Sequence, residues 1–261
     1  MKYQNRDSGI ENIHTKNKYC SGMGLGVILL DETYPGFPGD VRNPSAFSYP
    51  IQYEVAMGLD CAGLIYDDDK EKHLPAIEQA ALKLEKMGCR AILAECGYFA
   101  YFQKAIASIV KVPVFLSSLL QVSWAQSVIG PDRVVGLLMS GADALLDRHL
   151  NQCGIPLDSN YVIGDVMDGG KCPEFHRLWK SSTPIQERGA NYTKAEKDFV
   201  EQAIGFYESH SNMGAMVLEC TGFPPFARAI QRKLDIPIYS WGTMMDHAYQ
   251  VTVHRDYYGH V

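Results

Sequence analysis

Several kinds of chemistry are excluded by what the chain lacks. The seven cysteines stand at positions 20, 61, 89, 96, 153, 172 and 220, and no two form C-x-x-C. An odd number at wide spacing is neither a disulfide framework nor a zinc ribbon. There is no G-x-x-x-x-G-K-[ST], no G-x-S-x-G and no H-E-x-x-H, so a P-loop, a hydrolase elbow and a metalloprotease helix are missing. Gly22, Gly24 and Gly26 precede a strand pattern and do not follow one, so they are not a dinucleotide fingerprint. The eight histidines are scattered, and no metal or organic cofactor is expected. Apolar runs such as Val27 to Leu30 are far too short to span a bilayer. The first 20 residues carry Lys2, Arg6, Lys16 and Lys18 and no apolar segment, which reads as no secretory signal. Lys and Arg number 24 against 30 Asp and Glu, with a formal net charge of −6. A dense basic block is absent, so nucleic acid is an unfavourable partner. The expectation is a cytoplasmic protein with reduced thiols and no membrane or nucleic-acid partner.

With 261 residues, 46% hydrophobic and 21% charged, the chain can build a sizeable core. Residues 1–22 are polar and aperiodic, and read as a flexible tail. Beyond them short apolar runs alternate with amphipathic stretches, the pattern of an α/β fold with mainly parallel sheets. Strands are predicted over residues 26–30, 63–66, 91–94, 114–116, 134–139, 161–166, 215–218 and 236–239. Helices are predicted over 75–87, 98–110, 119–129, 142–153, 194–210, 223–234 and 243–250. Pro75 suits the first turn of its helix, and Gly88 its C-terminal stop. Thr193 is the expected N-cap of the helix from Lys194, with Glu196 three residues on. Residues 168–193 read as irregular.

The chain also contains a repeat. Shifted by the spacing between Cys96 and Cys220, residues 91–106 lie over residues 215–230 without a gap. Ala, Glu, Cys, two Phe, Ala and Ile coincide, and Val112-Pro113 falls on Ile236-Pro237. Each copy reads strand, Glu-Cys, turn, helix, strand. Such self-similarity marks a duplicated supersecondary unit. Residues 23–118 plus 243–261 are assigned to one lobe and 119–242 to the other. In open α/β sheets ligands bind outside the carboxyl ends of the strands. Duplication would place Cys96 and Cys220 on opposite sides of one ligand, in a cleft between lobes.

A helix N-terminus is expected to lower a thiol pKa and to hold a carboxylate on backbone N–H groups. A thiolate and a thiol on opposite faces can remove a proton next to a carboxylate and return one to the other side. Cys20, Cys61, Cys89, Cys153 and Cys172 have no repeat partner and read as inert. Glu95 and Glu219 alternate with the thiols along their strands and are expected to face away, in an ion pair and not in catalysis. Phe99, Phe102, Phe223 and Phe226 read as core. The loop after the first strand holds Asp31, Glu32, Tyr34, Asp40 and Arg42. Gly36 and Gly39 would let its backbone approach a ligand, or Asp40 and Arg42 would form a surface pair. Ser117 and Ser118 follow a strand in the first copy, as Trp241, Gly242 and Thr243 do in the second. They are candidates for the cleft rim.

On Glu95-Cys96-Gly97, on Leu218-Glu219-Cys220-Thr221-Gly222, and on the strand that opens into a Pro/Gly loop, the chain resembles the aspartate/glutamate racemase superfamily. That superfamily includes hydantoin racemases and arylmalonate decarboxylases. The resemblance implies two lobes with one catalytic cysteine each, here Cys96 and Cys220, no cofactor, and a small carboxylate substrate. Gly97, Tyr98, Thr221 and Gly222 would then contact substrate, with Thr221 helping to bind the carboxylate, and a homo-oligomer is expected. Cys96-Gly97-Tyr98 stands where racemases show Cys-Asn-Thr, and Gly222 where glutamate racemases have His. Pro38-Gly39-Asp40, Phe102-Gln103 and Pro224-Pro225 are similar to the algal dimethylsulfoniopropionate lyases of the same superfamily, which use a cysteine base for β-elimination. Three functions follow as expectations: first a racemase or isomerase of a small carboxylate, then this lyase, and last a two-lobed solute binder without catalysis.

Overall fold

A computed structural model describes residues 16–179, 183–255 and 257. In chain order its strands are β1 (Leu25–Leu30), β2 (Ile51–Ala56), β3 (Ala91–Ala94), β4 (Val114–Phe115), β5 (Val134–Met139), β6 (Tyr161–Asp165), β7 (Met213–Leu218) and β8 (Ile238–Tyr239). The helices are α1 (Cys61–Tyr66), α2 (Leu74–Met87), α3 (Gln103–Ile109), α4 (Val122–Val128), α5 (Asp147–Gln152), α6 (Pro173–Trp179), α7 (Tyr192–Glu208), α8 (Pro224–Leu234) and α9 (Trp241–Thr252). The strands form two four-stranded sheets of the same order, β2-β1-β3-β4 and β6-β5-β7-β8, and every pairing is parallel. The repeat found in the sequence is therefore a repeat of topology. β3 and β4 of the first sheet correspond to β7 and β8 of the second.

β3 and β7, the central strands that lead to the two thiols, are buried along their whole length. Ala91–Ala94 and Met213–Leu218 show no exposed position, as expected for parallel strands covered on both faces. One continuous core joins a face of each sheet, from Ile28 and Ile92 through α2, α3 and α4 to Val135, Leu137 and Val217. A second core, rich in Phe, fills the far face of the second sheet around Phe199, Phe223 and Phe226. The third lies on the other face of the first sheet. There Trp241, Met244, Met245 and Ala248 of α9 cover Leu25, Val27, Ala91 and Leu93. The chain thus leaves the second sheet at β8 and returns its last helix to the first.

Local chemistry explains most elements. Gly88 closes α2 with φ of 105°, a left-handed cap that glycine adopts cheaply. Asn191 caps α7 by accepting the Lys194 N–H, in place of the expected Thr193. Residues 63–66 are helical, where a strand was expected. The Asp60 carboxylate accepts the Gly63 N–H and starts α1 there, and four apolar residues cannot distinguish strand from helix. β2 was not expected, because it is half exposed and alternates with Gln52 and Glu54. Within the stretch expected to be irregular, α6 forms on Pro173 and buries Phe175 and Leu178. The expected helices from Tyr98, Leu119 and Ala142 all begin as 3-10 turns, at Gly97–Phe102, Ser118–Gln121 and Ala142–Ala144. Most of the expected tail lies outside the described residues. Of its described part, the Tyr19 and Cys20 N–H groups donate to Lys86 and Met87 at the end of α2.

Buried hydrogen bonds tie the two sheets together at their strand ends. Ser118 Oγ lies 3.0 Å from both the Leu218 and Glu219 carbonyls. The Trp241 indole N–H donates to the Glu219 carbonyl at 2.9 Å. Thr221 Oγ1 donates to the Glu95 carbonyl. Trp241→Phe removes one of these donors and leaves part of the buried indole's space empty. It is expected to cost at least about 1–3 kcal/mol in a urea titration, with an unchanged m-value. A loss below the error of the titration would show that the indole N–H has no part in joining the sheets.

Candidate functional site

Cys96 follows β3 directly but one residue, Glu95, and Cys220 stands in the same place after β7. Both thiols are free and partly buried. They line one cavity of about 900 Å³, whose walls come from both sheets. From the first come Leu30, Glu32, Cys61, Tyr66, Glu95 and Tyr98; from the second, Ser140, Asp165, Trp179, Glu219 and Thr221. The size suits a small-molecule site. Tyr98 reaches across, its hydroxyl on the Gly141 carbonyl at 2.5 Å.

Several expected site residues are placed elsewhere. Ser117 and Ser118 are fully buried and brace the strand ends, not the rim. Asp31 is exposed and accepts the Gly58 N–H at 2.9 Å. Gly97 and Gly222 flank the thiols without lining the cavity; the Gly222 N–H instead points at Cys220 Sγ, 3.5 Å away. Thr221 lines the cavity, but its hydroxyl is engaged by the Glu95 carbonyl. Tyr34 is buried behind the wall, its ring 3.9 Å from that of Trp179 and 4.5 Å from the Arg42 guanidinium.

Beyond Glu32, which lines the cavity, the Pro/Gly loop acts as a brace. Asp40 is only 3% exposed and accepts the backbone N–H of Arg42. Burial raises its carboxyl to about 7. No surface pair with the Arg42 side chain forms. Arg42 turns inward and meets the Glu95 carboxylate through Nε and, at 2.7 Å, through a terminal nitrogen. It also donates to the carbonyls of Leu30 and Glu32. Glu95 is thus in the ion pair expected from the sequence. Gly36 lies against Asp40, and Gly39, at φ of 103°, lies against Pro225 of α8. Both glycines make room for protein.

The electrostatics of the thiols reverse the sequence expectation. Their pKa values are raised, not lowered. Cys220 is pushed up first by burial and then by the Glu219 carboxylate, and the Gly222 N–H works the other way. Cys96 is raised first by a hydrogen bond with the Cys61 thiol, then by burial and Glu219. The short 3-10 turn after Cys96 is a weaker dipole than a long helix, while both carboxylates lie within the same wall. Cys61, without a repeat partner in the sequence and so expected to be inert, opens α1 and lines the cavity with Cys96. The strand before it, β2, was invisible, so the loop after that strand carried no signal. Asp165 was also missed. It accepts the N–H groups of Gly141, Ala142 and Met167 and shapes the cavity floor.

No family model matches the chain. Dimethylsulfoniopropionate lyase 6 of Emiliania huxleyi (strain CCMP1516) is 30% identical over 224 residues, covering 82% of this chain. This chain spans only 56% of that relative's length. A dimethylsulfoniopropionate lyase of Durusdinium sp. clade D is 29% identical over 232 residues, covering 86% of this chain and 73% of the relative. Among solved structures, arylmalonate decarboxylase superposes with a TM-score of 0.55 at 11% identity, covering 89% of this chain and 94% of that one. Allantoin racemase from Pseudomonas fluorescens gives 0.54 at 14%, covering 88% and 90%. The chain has the fold of arylmalonate decarboxylase and of allantoin racemase, the two-lobed fold that the sequence resemblance implied. The curated sequence relatives are dimethylsulfoniopropionate lyases. Among the described residues no helix is long and apolar enough to cross a membrane.

Burial also acts on Glu219. Burial pushes its carboxyl up to about 8 from the ordinary 4.5. Between those two values the folded state keeps a proton that the unfolded chain has lost, so this group lowers stability as pH rises from about 4.5 to about 8. Glu219→Gln removes that dependence. The melting temperature of the variant relative to the parent is expected to increase between pH 5 and pH 8, by an amount on the order of a few kcal/mol in stability. Asp40 is unchanged in both proteins and cancels. A difference that stays constant over this range would contradict the assignment.

Proposed function

We propose that the chain catalyses a cofactor-independent β-elimination, with a cysteine base, on a small zwitterion of the dimethylsulfoniopropionate type. One observation carries the reading. Two thiols share a cavity lined by seven carboxylic acids and, among the described residues, by no Lys or Arg. Glutamate or aspartate would bring two carboxylates and a single ammonium to this acid-rich wall, a net repulsion. A substrate with one cationic group and one carboxylate is favoured. The curated relatives carry the name of a lyase for such a molecule.

Cys220 is the proposed base, because its sulfur accepts the Gly222 N–H, a contact that favours the thiolate. The Cys61 thiol beside Cys96 instead pushes the Cys96 thiol up. Substrate binding brings a positive charge beside Cys220 and favours its ionisation. The thiolate takes the proton from the carbon next to the carboxylate. The C–H electron pair becomes the carbon–carbon double bond, and the carbon–sulfur bond breaks onto sulfur. Neutral dimethyl sulfide leaves with acrylate, and Cys220 passes its proton to solvent.

The second reading is racemisation of an amino acid, and the second thiol favours it. A racemase needs both cysteines, one for each face. An elimination needs one. The protein is incubated in D₂O with dimethylsulfoniopropionate and with amino acids. Release of dimethyl sulfide is expected. Cys220→Ser should lower kcat/KM by at least about 10³-fold and Cys96→Ser by about 10- to 100-fold. Solvent deuterium entering an amino acid with inversion, and no dimethyl sulfide, would establish the racemase instead. Full activity in both variants would refute both readings.

A further inference from the structure

The duplicated glutamates occupy the same position in each repeat, yet their surroundings have diverged. Glu95 is held by Arg42. Glu219 is 2% exposed, and its Oε1 is buried without a hydrogen-bond partner. Its carboxyl presses on the backbone of Gly97 from the opposite lobe. A Cβ on Gly97 would collide with Oε1, so that position is kept bare to admit this carboxyl. The Ser140 backbone N–H is the one group that favours the Glu219 carboxylate, whereas the half-buried carboxylates of the wall are better held. Glu32 accepts the Cys61 N–H and lies 3.6 Å from Arg188, and Asp165 accepts three backbone N–H groups. An acid buried without a cationic partner is costly unless it is protonated or a ligand supplies the missing cation.

We infer that Glu219 receives the cationic head of the substrate, a sulfonium or quaternary ammonium group, and selects it over uncharged isosteres. Tyr66, Tyr98 and Trp179 line the same cavity and offer ring faces to such an ion. The inference rests on the zwitterion reading above. In the free protein at neutral pH Glu219 carries a proton, because burial holds its carboxyl near 8. A bound cation stabilises the carboxylate, and the proton passes to solvent. Asp165 from β6, Cys220 after β7, and Cys96 and Tyr98 from the 3-10 turn face this group. Both thiols and Tyr98 titrate well above 8, so they hold their protons as Glu219 loses its own.

The test uses trimethylsulfonium ion, which carries no carboxylate and cannot be cleaved. Binding is followed by calorimetry at pH 7 in phosphate and in Tris, whose ionisation enthalpies differ. The parent protein is expected to release close to one proton per ion at pH 7, and to bind about tenfold more tightly at pH 9. Glu219→Gln should release none, lose the pH dependence and bind at least about tenfold more weakly at pH 9. His176→Gln, which alters the imidazole of the same wall, should keep the proton release. Were Glu219→Gln unfolded, Glu219→Asp serves: it keeps the proton release at reduced affinity. Among carboxylates, the parent should prefer dimethylsulfoniopropionate over 4-methylpentanoate as a competitor, and Glu219→Gln should erase that preference. Failure to bind the ion, binding without proton release, or equal affinity in parent and Gln variant would overturn the inference. Proton-coupled binding of the ion without any dimethyl sulfide from dimethylsulfoniopropionate would sink the lyase reading and leave this one standing.

Discussion

The site depends on how the two sheets are joined where their central strands end. The carbonyls of Glu95 and Glu219 are the last strand groups before the two thiols. Each is taken by a donor from the other copy or from a returning element: Thr221 holds Glu95, and Ser118 and Trp241 hold Glu219. A strand-end carbonyl buried without a donor would be expensive. These bonds therefore stabilise the fold and set the separation of Cys96 and Cys220 together. The return of α9 to the first sheet follows from the same requirement. Trp241 must reach Glu219 while its ring fills the core under β1 and β3.

Duplication gave each lobe a Glu-Cys pair, and the pairs have since taken different tasks. The loop after β1 sends Arg42 to Glu95 and closes the first pair into a structural network with Tyr34 and Asp40. The equivalent position after β5 supplies Ser140 and Gly141 and no cation. Glu219 is thereby left as a buried acid between two thiols. The same carboxyl raises the pKa of both. An arriving cation ionises Glu219 and offsets the charge that this carboxylate sets against Cys220, so recognition is linked to base strength. This gives the acid-rich wall a chemical purpose that an apolar cavity would not serve.

Much of the fold was legible in the sequence. The fixed spacing of Glu95-Cys96 and Glu219-Cys220 revealed the repeat, and the buried strands around them have continuous apolar runs. Elements with half-exposed or short patterns were not. β2 alternates with Gln52 and Glu54, residues 63–66 are helical because of the Asp60 cap, and α6 hides among Gly and Pro. The site was legible only in part. The sequence pointed to the two repeated thiols, to Tyr98 and to Thr221, all of which line the cavity. It could not show that Thr221 spends its hydroxyl on the Glu95 carbonyl, that Ser118 serves as a brace, or that Cys61 and Asp165 converge there. Those facts arise from long-range packing, which no local pattern encodes. The thiol pKa expectation failed for a related reason. A strand-to-helix turn is a local signal, and the burial and carboxylates that outweigh it come from the opposite lobe.

The most direct test of this account is a crystal structure of Cys220→Ala soaked with dimethylsulfoniopropionate. The account predicts the substrate between the two lobes, its sulfonium within about 5 Å of the Glu219 carboxyl. The carbon next to the carboxylate should face the position that the Cys220 sulfur has vacated. A substrate carboxylate turned toward Glu219, or a molecule bound away from residues 96 and 220, would contradict it.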